Sequence, residues 1–386
     1  MSELLNGRWA ETKEALLEGL SGTKKSVMGV TLENTKKYLQ ESATAGATSA
    51  GNVATLNRVI LPVIRRVMPT VIANELVGVQ PMTGPVGQIH TLRVRYSDTS
   101  NNAGVTAGEE ALSPFKIAEG YSADSTGRAV STASLEGQAG KRMSIQILKQ
   151  TVEAKTRKLS ARWTFEAAQD AQAQQGIDIE AEVMAALAQE ITAEIDQEIL
   201  ASLLSLAGSA VESFDQNAVS GTATFVGDEH AALAVQINRV SNLIAQRTRR
   251  GAGNWAVVSP YALTVLQSAT TSAFARTTEG TFEAPTNTKL VGTLNSAMKV
   301  YVNTYATDST DILIGYKGSS ESDAAAFYCP YIPLMSSGVV LDPSTFEPVV
   351  SFMTRYGYVE LTNTASSLGN AADYLGRISL SNVSFK

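Results

Sequence analysis

The chain has 386 residues, 44% hydrophobic and 18% charged, with 31 basic against 37 acidic side chains and a formal net charge of −6. That composition excludes a disordered chain and disfavours tight binding of nucleic acid, which usually rests on a basic excess. The length predicts two or three domains with ample core. One cysteine, Cys329, excludes a disulfide framework and a multi-cysteine metal site, and its setting, Ala326-Phe327-Tyr328-Cys329-Pro330, reads as a buried strand. The two histidines, His90 and His230, have no second His or Cys at ligand spacing.

Met1–Leu5 lacks the basic start and apolar run of a secretory signal, and no apolar run approaches the ~20 residues of a membrane span, so no membrane partner is expected. Residues 1–41 read as a charged helical segment, with Leu4, Trp9, Leu16, Leu17 and Leu20 at roughly helical spacing. Residues 42–52 (Ser-Ala-Thr-Ala-Gly-Ala-Thr-Ser-Ala-Gly-Asn) read as a linker. Val53–Leu76 reads as helix interrupted at Pro62 and Pro69.

Gln88–Ser97 is a predicted strand, and Met143–Leu148 its returning partner. The Gly/Ser/Thr-rich stretch Asp98–Gly140 between them is too long for an unstructured loop in a compact domain, so a two-stranded excursion is expected. Val152–Gln175 is helical in composition. A longer helix is predicted from Ile177 to Leu206, with Val183, Leu187, Ile191, Ile195, Ile199 and Leu203 recurring every fourth residue. Four residues overshoot one turn by about 40°, so the stripe winds around a rod roughly 45 Å long. Its charges are all acidic.

Glu229–Gln246 then reads as an amphipathic helix. Strand and helix alternate through Trp255–Ser259, Pro260–Ser268, Lys299–Tyr305, Asp311–Tyr316 and Ala325–Tyr331, and Glu347–Arg355 and Gly376–Phe385 are final strands. The fold class is α+β, with a mixed α/β domain inside it.

No catalytic motif stands out. Gly315-Tyr316-Lys317-Gly318 lacks the P-loop spacing and reads as a plain turn. Two distant histidines leave no Ser/His/Asp pattern, and the acidic long helix lacks the Glu-x-x-His pairs of a di-iron site. No cofactor is implied. Arg247, Arg249 and Arg250 form the most basic spot, beside a Gly-rich turn; three charges are a weak nucleic-acid signal and read first as a solvated loop, and were the protein to form rings they would be candidate subunit contacts.

Two blocks carry a family signal. Asp342-Pro343-Ser344-Thr345-Phe346-Glu347-Pro348 runs into Ser351-Phe352-Met353-Thr354-Arg355-Tyr356-Gly357 near one end, and Arg65-Arg66-Val67-Met68-Pro69-Thr70 into Glu75-Leu76-Val77-Gly78-Val79-Gln80 near the other. Both resemble the major capsid proteins of tailed phages, the T4-type branch of the HK97-like shell fold. Glu153–Leu159, Glu166–Asp170, Gly251–Trp255, Gly315–Gly318 and Tyr328–Tyr331 resemble further blocks in order, so the resemblance spans about residues 53–386.

The resemblance implies a possible cleaved segment at 1–41, an N-terminal arm at 42–87, an extended loop at 88–150 and a peripheral domain with a spine helix at 151–227. An axial domain at 228–345 and peripheral return strands at 346–386 complete it. It implies hexamers and pentamers that form an icosahedral or elongated head enclosing double-stranded DNA without specific binding. Portal, scaffold, prohead protease and decoration proteins are its implied partners, with assembly in the bacterial host cytoplasm and residence in the virion capsid. Leu39-Gln40-Glu41 matches the Leu/Ile-x-Glu pattern cut by prohead proteases, as do Leu16–Glu18 and Ile117–Glu119; the adjoining linker favours cleavage between Glu41 and Ser42. Some relatives of the fold cross-link Lys to Asn, for which Lys141 and Lys149 are available, and Lys141 is also a candidate contact on the extended loop. The alternatives are an encapsulin-like compartment, a vertex-specific paralogue, or an α+β enzyme with an unrecognised site.

Overall fold

The computed structural model describes residues 9, 13, 17, 25–34, 72–100, 104–109, 111, 120–122, 129–136, 140–175, 178–219, 226–248, 250–269, 274–276, 289–307, 311–321, 323–345, 347–361 and 371–383. The chain forms two compact units. The first comprises Met1–Gly87, Val152–Ala201 and Phe327–Val359; the second comprises Gln88–Thr151, Ser202–Ala326 and Glu360–Lys386.

The first unit is built on a five-stranded sheet. Its central strands are β11 (Ala326–Ser336) and β13 (Pro348–Glu360), flanked by β1 (Gly78–Val79), β12 (Val340–Leu341) and β4 (Lys155–Arg162). β1 runs parallel to β11, and β4 runs antiparallel to β13 from Val349↔Arg162 to Tyr356↔Lys155. Buried and half-buried positions alternate along β13 through Tyr356, the two-residue period of a sheet with one face in the core. Helix α1 (residues 25–34) and the short α2 (Ala73–Leu76) also belong to this unit.

β4 corrects an expectation. Val152–Gln175 reads as helix because Lys, Arg, Leu and Ala are good helix formers. In the structure Lys155–Arg162 is a strand, and helix α3 is confined to Phe165–Gln175. Eight paired residues along β13 override the propensity, as tertiary context routinely does. The long helix, α4 (Ile179–Leu206), matches its expected course. Leu187, Ile191, Ile195, Ile199 and Leu203 are all buried, so the every-fourth-residue stripe is its inner face.

The second unit holds a seven-stranded sheet in the order β5 (Glu212–Asp215), β14 (Leu375–Ser381), β10 (Ile312–Gly315), β6 (Trp255–Val258), β9 (Met298–Val302), β8 (Lys289–Leu294) and β7 (Phe274–Arg276). Helix α5 (Val226–Thr248) packs Leu233, Ile237, Val240 and Ile244 into the core with Ile312, Ile314 and Ile378. The 4-3-4 spacing of those four residues is the sequence signature of one helix face. Helix α6 (Pro260–Ser268) starts where it should: the Ser259 side chain accepts from Ala262 N–H, and Pro260 occupies the first turn.

Sheet membership divides the chain differently from a cut at 345/346. β11 lies in the five-stranded sheet, although it precedes residue 345, and β14 lies in the seven-stranded sheet, although it follows. The linker at 42–52 and residues 53–71 of the expected helix lie outside the described residues.

The excursion is present as β2 (Val86–Tyr96) paired with β3 (Met143–Glu153). Gly357 shows how its root is seated. A Cβ there would lie 2.5 Å from Val152 Cγ2 and 3.1 Å from the Glu153 carbonyl oxygen. Val152 is a stiff, buried, β-branched neighbour that cannot swing aside. Gly357→Ala is expected to destabilise the subunit by about 2 kcal/mol in urea titration, the usual cost of overpacking. An unchanged midpoint would contradict this packing.

Candidate assembly surfaces

The block Arg355-Tyr356-Gly357 joins strand to helix. The Arg355 guanidinium lies over the Tyr331 ring, 5.2 Å from its centroid. Tyr356 is buried beside Tyr328, with ring centroids 5.4 Å apart, and its hydroxyl donates to Glu198 of α4. Arg157 of β4 completes the cluster. Its Nε donates to the Tyr356 hydroxyl at 2.6 Å, and its two terminal nitrogens reach Glu194 at 2.7 Å and Glu198 at 2.5 Å.

Burial works against charge at each of these groups, and the partners decide the outcome. For Arg157 the hydrogen bonds it donates to Glu198 and Tyr356 outweigh desolvation and raise its pKa. For Glu198 burial raises the pKa, but the bonds from Tyr356 and Arg157 bring it below the ordinary carboxylate value. Tyr356 is pushed up, first by burial and then by its bond to Glu198.

Asp196, two residues away on α4, is different. It is 2% exposed, and its carboxylate accepts the Ile72 backbone N–H at 3.0 Å, where the chain enters α2. Desolvation raises its pKa to about 7, against a smaller lowering by the Ile72 bond. Cys329 is buried as expected, and burial pushes its thiol up to about 12, which makes it inert as a nucleophile.

The excursion ends in a folded head. Tyr96, Val105, Ala111 and Tyr121 form a small core of their own, with the two tyrosine rings 4.5 Å apart. Asp98 clasps Arg142 at its backbone N–H (2.8 Å) and its guanidinium (3.2 Å), and the Tyr121 hydroxyl donates to the Arg142 carbonyl at 2.7 Å. In the first half of β3 three apolar side chains face solvent: Met143 is 51% exposed, and Ile145 and Ile147 are each 66% exposed. Spaced two apart, the three share one face of a two-stranded ribbon. A second apolar group, Val339, Val340 and Leu341, is exposed at β12 in the first unit. Exposed apolar runs of this kind mark interaction sites.

The contacts expected from sequence have separate settings. Lys141 donates to Ser100 Oγ at 2.5 Å, and its Nζ lies 5.5 Å from the Tyr121 ring centroid, so it braces the head of the excursion. Arg250 is exposed but ion-paired to Asp323 at 2.5 Å, and Tyr374 reaches the same carboxylate oxygen at 3.4 Å. Arg247 is half-buried in the last turn of α5. Arg249, Glu41 and Ser42 lie outside the described residues. The Gly315–Gly318 turn is occupied by structure: Asn254 donates to the Lys317 carbonyl at 2.6 Å and accepts its N–H at 3.0 Å, while Lys317 Nζ pairs with Glu321 at 3.2 Å. Among the described residues no cluster of three or more His, Cys, Asp or Glu could hold a metal, and no helix is long and apolar enough to cross a membrane.

A family model described as major capsid protein Gp23 matches residues 53–136 and 99–380. The chain belongs to the Gp23 major capsid protein family. Three curated major capsid proteins are similar over most of their length. That of Vibrio phage KVP40 is 29% identical over 85% of this chain and 81% of its own. That of Enterobacteria phage T4 is 28% identical over 83% and 78%, and that of Salmonella phage ViI 30% identical over 83% and 80%. Among solved structures, a chain from Mycobacterium phage Bobi is 12% identical with a TM-score of 0.49, covering 80% of this chain and 90% of that one. A chain from the capsid of Myoviridae phage XM1 is 9% identical with a TM-score of 0.45, covering 80% and 91%.

Within this Gp23-family chain, Asp196 makes stability depend on pH in a defined direction. Its folded pKa, about 7, lies above the ordinary value of 3.8. The folded state therefore holds the proton more tightly, and this contribution to stability is full below about pH 4 and lost as pH rises through about 7. Asp196→Asn keeps an acceptor for Ile72 N–H without the charge. Its melting temperature relative to wild type is expected to be higher at pH 8 than at pH 5. A difference flat with pH would contradict the assignment.

Proposed function

We propose that the chain is the shell subunit of a tailed-phage head and acts by associating with copies of itself. The Gp23 family match carries this reading. In it, head-to-tail contacts close into rings of six and five, which tile an HK97-like shell around double-stranded DNA. The net charge of −6 suits a wall that encloses DNA without gripping it. The role is structural rather than enzymatic, and the subunit is a component of the virion.

In this reading the five-stranded sheet and α4 form the peripheral domain, the seven-stranded sheet with α5 and α6 forms the axial domain, and β2–β3 with its head is the extended loop. The exposed face of Met143, Ile145 and Ile147 packs on a neighbouring subunit. Portal, scaffold, protease and decoration proteins act with it during assembly in the host cytoplasm. The protease cuts between Glu41 and Ser42.

Deleting Asn101–Gln138 is expected to leave a soluble subunit that forms no shells. Ile145→Asp with Ile147→Asp should lower particle yield at least ~10-fold while leaving the subunit's circular dichroism unchanged, because both side chains are already in water. Normal particle yields from the double variant would refute a contact role for this face. Intact mass of the protein from mature particles is expected to correspond to a chain beginning at Ser42. A full-length mass would end the cleavage proposal.

A further inference from the structure

Helix α3 (Phe165–Gln175) is 11 residues long and belongs to the first unit. None of its described side chains is buried: Ala168 is half-buried, and Phe165, Glu166, Gln169, Asp170 and Ala173 are exposed, Phe165 by 45%. Helix α1 of the same unit is the contrast. There Val27, Met28 and Leu32 are buried, and the Asn34 amide donates to the Tyr331 carbonyl at 2.9 Å. A helix as short as α3 is marginal in water without a packed face. Its start is held by a long bond, 3.3 Å from Ala167 N–H to the Thr164 hydroxyl. Its two charges, Glu166 and Asp170, are both acidic and stand four apart, where like charges repel across one turn. An apolar surface against Phe165 and a cation between the two carboxylates would complete it.

The β2–β3 ribbon offers that pair. Ser97 N–H bonds the Arg142 carbonyl at 3.0 Å, and Ala154 N–H bonds the Pro85 carbonyl at 2.9 Å, one at each end of the ribbon. The strands are therefore antiparallel, and His90 stands opposite Lys149. Met143, Ile145, Ile147 and Lys149 fall two apart on one face, all exposed, so an apolar strip ends in a cation. On α3, the residues Phe165, Glu166, Gln169, Asp170 and Ala173 lie within about 140° of one another around the axis. From Ile147 to Lys149 is about 7 Å along a strand, and from Phe165 to Asp170 about 7.5 Å along a helix, so an apolar contact and an ion pair fit side by side.

We propose that α3 is the acceptor for the β2–β3 ribbon of a second copy: Phe165 and Gln169 pack on Ile145 and Ile147, and Lys149 bridges Glu166 and Asp170. This names the surface on which the exposed β3 face packs and rests on the self-association reading above. The contact joins different patches on the two copies, so it is heterologous and leaves each copy free to repeat it with the next. Pairing also stabilises α3, whose fraying is greatest in the free subunit.

The test mixes two full-length chains, one carrying Ile147→Cys and the other Gln169→Cys; the native Cys329 is buried and inert. Under mild oxidation the mixture should give at least ~10-fold more disulfide-linked dimer than either chain alone. Adding Lys149→Glu to the first chain, or Glu166→Lys/Asp170→Lys to the second, should lower that yield at least ~10-fold, and combining the two reversals should restore it to within ~3-fold. Circular dichroism of each variant should match wild type, because the exchanged side chains are exposed. Equal dimer yields from mixed and single chains, or reversals that do not rescue each other, would overturn the proposal. Wild-type shells without enrichment of the mixed dimer would overturn this contact and leave the shell reading standing; an enriched mixed dimer without shells would support the contact and defeat the shell reading.

Discussion

One arginine holds the first unit's helix to its sheet. Helix α4 carries Glu180, Glu182, Glu190, Glu194, Asp196 and Glu198 and not a single basic residue. Packing such a helix on a sheet leaves carboxylates at the rim of the interface, where the Glu194 and Glu198 side chains remain 46% and 42% exposed. Arg157 answers with a fork to Glu194 and Glu198 and a third bond to Tyr356. A planar guanidinium presents its donors in a fixed fork that spans acceptors on two elements, whereas a lysine would offer one compact point charge. The fork lies on β4, so strand and helix are fixed by the same group. Asp196 receives no such partner and remains the titratable exception in the same helix.

Seen from this fastening, the sequence block Arg355-Tyr356-Gly357 has a physical rationale. Each of the three residues does a different job: one stacks on Tyr331, one bridges Arg157 and Glu198, and one leaves room for Val152. The block looks unremarkable as chemistry because its work is packing. In the proposed reading, assembly falls to faces that the units leave outside, among them the apolar residues of β3 and β12.

Much of the fold was legible in the residues. The four-residue recurrence of Leu187, Ile191, Ile195 and Ile199 marks the inner face of α4, and Ser259-Pro260 marks the start of α6. β4 was not legible, because its Lys, Arg and Leu suit a helix and only its pairing with β13 makes it a strand. The crossing of β11 and β14 between sheets also escapes local patterns, since strand partners are non-local. At the assembly surfaces, the alternation of Met143, Ile145 and Ile147 announces a strand but not that its apolar face stays in water. Arg157 and its partners stand 37, 41 and 199 positions apart, and Asn34 and Tyr331 stand 297 apart, so no spacing rule could join them. Arg250 drew notice as part of a basic run, yet its charge is matched by Asp323.

The most direct test of the central claim is negative-stain electron microscopy of the purified full-length protein, alone and co-expressed with phage assembly factors. Closed icosahedral or elongated shells, tubes or hexameric sheets are the predicted result. Small monodisperse particles in both preparations would contradict self-assembly as the function of this chain.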